Sequence, residues 1–259
     1  MENENDQMAK VDVTDFAEDL AAGIGIIPVK QLKIVKTDVE GDLAGLDDHG
    51  GPIPFICRNS DGAFFQSGIE RQTNSWAGHA GLFVGKRNAQ IIRAKCPYLL
   101  QSRRVSGLFT DHDGVLPPVP AEARDYEVIE SQITININDM REVVREGMQA
   151  VSFVRDWTDS QTGDILEAAY KMFGAPYDIL EIAHDVFPWV PNPTQLKVCS
   201  SFTLSALAKG DPDLLDWMKA HNVDPEAASP ADLGRYLFSN AAYQPVAFRC
   251  DLAEARGTV

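Results

Sequence analysis

Three residues far apart in the chain, Cys199, His79 and Glu130, have the types that acyl-transfer chemistry needs. A thiolate attacks an acyl carbon when a base lies beside the sulfur and a third group holds that base in the right tautomer. Such sets are recognised by geometry, so their order and separation along the chain carry no weight. Cys199 opens a distinctive stretch, LKVCSSFTLSALAKG, over residues 196–210. Pro191, Asn192, Pro193 and Thr194 precede it and do not extend a helix, and Gly210 follows it. Phe202, Leu204, Ala206, Leu207 and Ala208 between them suit a buried helix. Cys199 then falls in the first helical turn. There the unpaired backbone N–H groups and the helix dipole favour negative charge and lower a thiol's pKa. The same three residues also suit a buried structural cysteine, a satisfied core histidine and a surface carboxylate. Residue type alone leaves both assignments open.

The elements that must position these groups are legible in outline. Residues 82–84 are expected to form a buried strand with His79 at its start, and 90–94 to pair with it across a turn at 85–88. Residues 126–130 read as a strand ending at Glu130, with 133–137 as its continuation or partner. Asp139 is placed to cap a helix to about residue 148, followed by a strand at 151–154. Thr162 or Asp164 is expected to cap a helix that buries Ile165, Leu166, Ala169 and Met172 and stops at Gly174. Further helices are expected at 179–187, 214–220 and 230–237, the last capped by Ser229, with a final strand at 244–248. Upstream, 1–10 reads as disordered, 12–22 as a short helix and 29–35 as a strand. Residues 38–51 carry five acids and four glycines and read mainly as loop. Residues 53–57 and 63–66 suggest a hairpin. Neighbouring strands of one sheet would set a histidine beside a carboxylate, and a helix packed with its N-terminus against that sheet would bring the thiol. This predicts an α+β fold with an N-terminal extension over 1–50, partly disordered or helical, and one domain over 51–259.

Composition narrows the function. A chain of 259 residues with 44% hydrophobic and 24% charged side chains buries a core without staples. A net charge of −15 argues against binding nucleic-acid phosphates, and equally against electrostatic docking on anionic membranes. No run is long enough for a transmembrane helix. The polar, acidic start MENENDQMAK does not read as a signal peptide, so synthesis in the cytoplasm is expected. Cys57, Cys96, Cys199 and Cys250 form no CxxC pair, which points to reduced thiols rather than a zinc ribbon or a disulfide framework.

Five further motifs stand in a fixed order. SWAGHAGLFVG resembles the S-x-x-H-x-G strand of the permuted papain-like amidases, the circularly permuted branch of the NlpC-type cysteine peptidases. YEVIES resembles their V-I-E-A strand, FGAPYDI their G-x-P-Y-D turn, VCSSFTLSAL their C-S-E-L helix and SPADL their T-P-x-D-L segment. Together the motifs span about residues 74–237. The resemblance implies a papain-like antiparallel sheet with the nucleophile helix packed on it. It also implies a Cys–His–Glu triad, an amide or ester substrate such as a peptidoglycan peptide, and neither metal nor other cofactor. Cys199 matches the nucleophile, His79 the base and Glu130 the orienting carboxylate. Tyr177 and Ser200 fall where the oxyanion and substrate contacts belong. Ser201 stands where the family has Glu, and the Gly-Asp pair that opens the family's first strand has no match close before His79. Lipid-directed acyltransferases and thioesterases of the same fold, or a non-catalytic virion component that keeps it, are the alternatives. A cell-wall substrate would require delivery by lysis, a secretion machine or a phage particle.

Other clusters read as less specific. His184-Asp185 resembles a metal phosphohydrolase pair but lacks further ligands nearby in sequence. Asp111-His112-Asp113-Gly114 does not keep calcium-loop spacing. Arg103-Arg104 is a solvated pair or a contact for a substrate carboxylate. Trp157, Trp189 and Trp217 read as packing anchors.

Overall fold

The computed structural model describes residues 39–59, 77–105, 114–131, 134–145, 148–175, 199–224 and 228–249. The expected elements at 12–22, 29–35, 63–66 and 179–187 lie outside the described residues. So do Tyr177, Asp111-His112-Asp113, His184-Asp185, Trp189 and Cys250.

The elements in order are α1 (Val39–His49), β1 (Ile53–Asn59), β2 (His79–Phe83), α2 (Lys86–Lys95), a 3₁₀ turn (Pro97–Leu100), β3 (Arg103–Val105) and β4 (Gly114–Leu116). They continue with β5 (Glu127–Ser131), β6 (Ile135–Asp139), α3 (Met140–Arg145), β7 (Met148–Val154), α4 (Asp159–Lys171), α5 (Cys199–Leu207), α6 (Pro212–Ala220), α7 (Pro230–Ser239) and β8 (Gln244–Arg249). Six strands form one antiparallel sheet in the order β6-β5-β2-β1-β7-β8, and β3 pairs with β4 in a separate hairpin. The protein is therefore α+β, with an antiparallel sheet.

Both faces of the sheet are covered. On one, Ile56, Leu82, Ile129 and Val151 join Phe202 of α5, Leu166 of α4 and Leu233 of α7. On the other, Phe55, Phe83, Val128 and Ala150 join Leu43 and Leu46 of α1 and Met140 and Val143 of α3. This explains why β2 and β5 are buried at every position, whereas edge strand β6 alternates. It also explains α5, an apolar and small-residue helix with only Ser205 partly exposed. A helix that is apolar nearly all round belongs inside a protein.

Four local expectations are corrected. Residues 38–51 are helical from Val39, not mainly loop: Leu43 and Leu46, one turn apart, are fully buried against the sheet. That burial outweighs the cost of Gly41 and Gly45, about 1 kcal/mol each relative to alanine. Residues 90–94 belong to helix α2, not to a strand. Ala89, Ile92, Arg93 and Cys96 recur at helical spacing and are buried, and Asn88 Nδ2 donates to the Val84 and Gly50 carbonyls at the helix start. The helix expected from Asp139 to about 148 is the short α3, because the chain re-enters the sheet at Met148. Helix α4 starts earlier than Thr162, at a reciprocal capping box between Thr158 and Gln161.

A buried cluster ties α2 and α4 to the first residue of β5. Arg93 donates through Nη1 and Nη2 to the two oxygens of Glu127, each at 2.9 Å, and Tyr170 OH donates to Glu127 as well. Glu130 lies three residues along the same strand.

Gly81 is the position where a side chain would do most damage near the site. It lies opposite Glu130 in the β2–β5 register, and a Cβ there would sit 2.5 Å from Cζ of the fully buried Phe55. Gly81→Ala is expected to destabilise the protein by about 1–3 kcal/mol through overpacking. Chemical denaturation of both proteins measures this, and an unchanged midpoint would show that Phe55 yields freely.

Candidate active site

The sheet places His79 and Glu130 on one face. Gly81 of β2 opposes Glu130 of β5, so His79, two residues before Gly81, is the diagonal neighbour of Glu130 on the same side. His79 Nε2 and Glu130 Oε2 are 2.9 Å apart. Helix α5 packs against β2 and β5, and its first residue, Cys199, lies close enough to the His79 ring for each to shift the other's proton affinity. With Nε2 engaged by Glu130, the nitrogen left for sulfur is Nδ1. The three residues named from sequence are thus brought together, His79 hydrogen-bonded to Glu130 and electrostatically coupled to Cys199.

All three are buried: Cys199 and Glu130 are 1% exposed and His79 6%. Burial alone would keep both the thiol and the imidazole neutral. For Cys199 burial pushes the pKa up, but the His79 charge, the His79 hydrogen bond and the backbone N–H groups of Ala80 and Ser200 outweigh it, and the thiol lies below its ordinary value. For His79 burial pushes the pKa down, but Cys199 and Glu130 outweigh it and raise the imidazole to about 10. The two shifts point the same way: both favour moving the proton from sulfur to nitrogen, toward thiolate and imidazolium.

Ser200 follows Cys199 and is fully buried, with its hydroxyl donating to the Ala228 carbonyl. It meets the sulfur through its backbone N–H. The hydroxyl also ties α5 to the segment just before α7, where Ser229 and Asp232 form a capping box inside the SPADL motif. Ser201, two residues after Cys199, is fully buried too. Arg103 donates through Nη2 to the Phe173 carbonyl at 3.2 Å. Trp157 donates to the Pro52 carbonyl, and Trp217 packs against the core.

Sequence reasoning missed one member of the site. Asn138 Nδ2 donates to Glu130 Oε1 at 2.6 Å. Residues 133–137 are expected to continue or to pair with the Glu130 strand, and the pairing arrangement, carried one residue past 137, would have pointed to it.

No family model matches the chain, and no curated protein is significantly similar to it. Among the described residues no group of three or more His, Cys, Asp and Glu side chains could hold a metal ion. No described helix is long and apolar enough to cross a membrane.

Proposed function

We propose that the chain is a cysteine hydrolase of the permuted papain-like kind, cleaving an amide through a thioester acyl-enzyme. The observation that carries the proposal is the buried His79–Glu130 hydrogen bond beside Cys199 at the start of α5, with thiol and imidazole displaced in opposite directions. A structural cysteine and a structural histidine have no need of that polarisation.

The chemistry follows from this arrangement. The Cys199 thiolate attacks the acyl carbon, and the backbone N–H groups at the start of α5 face the developing oxyanion. His79 Nδ1–H gives its proton to the leaving amine as the C–N bond breaks, leaving a thioester and a neutral imidazole. Water then attacks the thioester. Nδ1 takes one of its protons, the C–S bond breaks, and the acid departs as thiolate and imidazolium are restored. Glu130 holds Nε2–H throughout and stabilises the imidazolium. Peptidoglycan peptides fit this chemistry, and so do other small acyl amides.

The test is intact-mass detection of a covalent adduct across a panel of activated short-chain esters, long-chain acyl esters and muropeptides. A single acyl group on Cys199 is the expected result. Preference for the long-chain esters would move the assignment to a lipid-directed acyltransferase or thioesterase. An electrophile that labels Cys199 no faster than Cys57 would leave a retained fold without activity.

A further inference from the structure

Glu130 opposes Asn136 in the β5–β6 register, and Asn138 lies two residues further along the same face of β6. The opposite residue is not the one that bonds: Asn136 Oδ1 accepts instead from Thr134 Oγ1 at 2.9 Å. Asn138 reaches diagonally to Glu130 Oε1, while Glu130 Oε2 faces His79. Both oxygens of a carboxylate that is 1% exposed are therefore engaged. The Asn138 contact, at 2.6 Å, has the short length of a charge-assisted hydrogen bond.

We propose that Asn138 is a positioning residue, whose amide holds Glu130 as an ionised double acceptor and thereby fixes the ring of His79 toward Cys199. This rests on the catalytic reading above. The amide nitrogen only donates, so Oε1 must accept. A proton on Oε1 would put two donors face to face, and a flipped amide would put two acceptors face to face once Glu130 is ionised. With Oε1 accepting from Asn138, Oε2 is left to accept from Nε2–H, and Nδ1 becomes the nitrogen that exchanges a proton with sulfur. An amide suits the position better than a second carboxylate, which would share a proton with Glu130 and dilute its charge. Among the described residues, the other titratable neighbours of His79 are Cys199 on α5 and Cys57, its cross-strand partner on β1.

The experiment is the iodoacetamide rate of Cys199 from about pH 5 to 9 in wild type, Asn138→Ala, Asn136→Ala and His79→Ala. Asn138→Ala should slow alkylation near pH 6.5 by about tenfold, the scale of one hydrogen bond to a charged group, and move the midpoint upward. Asn136→Ala, on the same face of the same strand, should overlay wild type. In a Glu130→Ala background the Asn138 substitution should add less than about twofold, because its effect passes through Glu130. An Asn138→Ala curve that overlays wild type, or an equal slowing with and without Glu130, overturns the inference. If Glu130→Ala does not fold, the contrast between the two asparagine variants decides alone. A shifted His79→Ala curve beside an unshifted Asn138→Ala curve overturns only the role of Asn138. An unshifted His79→Ala curve overturns the catalytic reading and this inference together.

Discussion

Cys199→Ser should reduce hydrolysis of an activated ester such as p-nitrophenyl acetate by roughly 10⁴-fold or more, while leaving the protein folded. The size of the loss follows from what the serine cannot do. A thiol whose pKa is lowered by the adjacent imidazole ionises more readily than a free one, whereas a hydroxyl at the same place stays protonated and waits on a full proton transfer. The fold tolerates the change because one small side chain replaces another at a site that is 1% exposed. Melting temperature and far-ultraviolet circular dichroism check that half. Retained turnover with a large drop in melting temperature would make Cys199 structural.

The same pair shapes the pH dependence of stability, and its sign follows from proton counts. Between the ordinary histidine value of 6.5 and the ordinary thiol value of 9.0, the unfolded pair holds one proton on sulfur. Wherever the folded thiol is ionised within that window the folded pair also holds one, on nitrogen, and its contribution is flat there. Above 9.0 the unfolded thiol releases its proton while folded His79 keeps one until about 10, so stability falls with rising pH.

How much of this was legible in the sequence depends on the range of the interaction involved. Helix α5 could be read because its boundaries are local: prolines before it, Gly210 after it and apolar residues between. The Ser229 cap and the strands beginning at His79 and ending near Glu130 were local in the same way. Helix α1 was not, because its glycines and acids argue for a loop and only the burial of Leu43 and Leu46 under the sheet reverses that. Helix α2 was missed because QIIRA is too short to separate period 2 from period 3.6, and its deciding residues, Ala89 and Cys96, flank it. The Glu127–Arg93–Tyr170 cluster joins residues 34 and 43 positions from Glu127, a pairing that no spacing rule anticipates. For the site, the three residue types were visible, but their convergence depends on the register between β2 and β5.

Replacing His79 by alanine should raise the pH midpoint for alkylation of Cys199 toward the ordinary thiol value of about 8.5 or beyond. In wild type the midpoint lies lower, because the thiolate is stabilised by the adjacent imidazolium and by the N–H groups of Ala80 and Ser200. Without His79 the burial of the sulfur raises its pKa, opposed by the N–H groups of Ala80 and Ser200 and the helix dipole. Glu130→Gln tests the next link. Its amide can still accept from Nε2–H, but it carries no charge to stabilise the imidazolium. Asn138 can turn its own amide to meet it, so the geometry survives while the electrostatics do not. Turnover in Glu130→Gln should therefore fall by about 10²–10⁴, the range seen when a triad keeps its shape and loses its charge. Its alkylation midpoint should fall between those of wild type and His79→Ala. That ordering separates a charge effect from a packing effect, because a purely structural Glu130 would move the melting temperature and leave the midpoint alone. Three superimposed curves would mean that the thiol feels neither residue, and the grouping of the three would then be a packing arrangement in a protein that has kept the fold without the reaction.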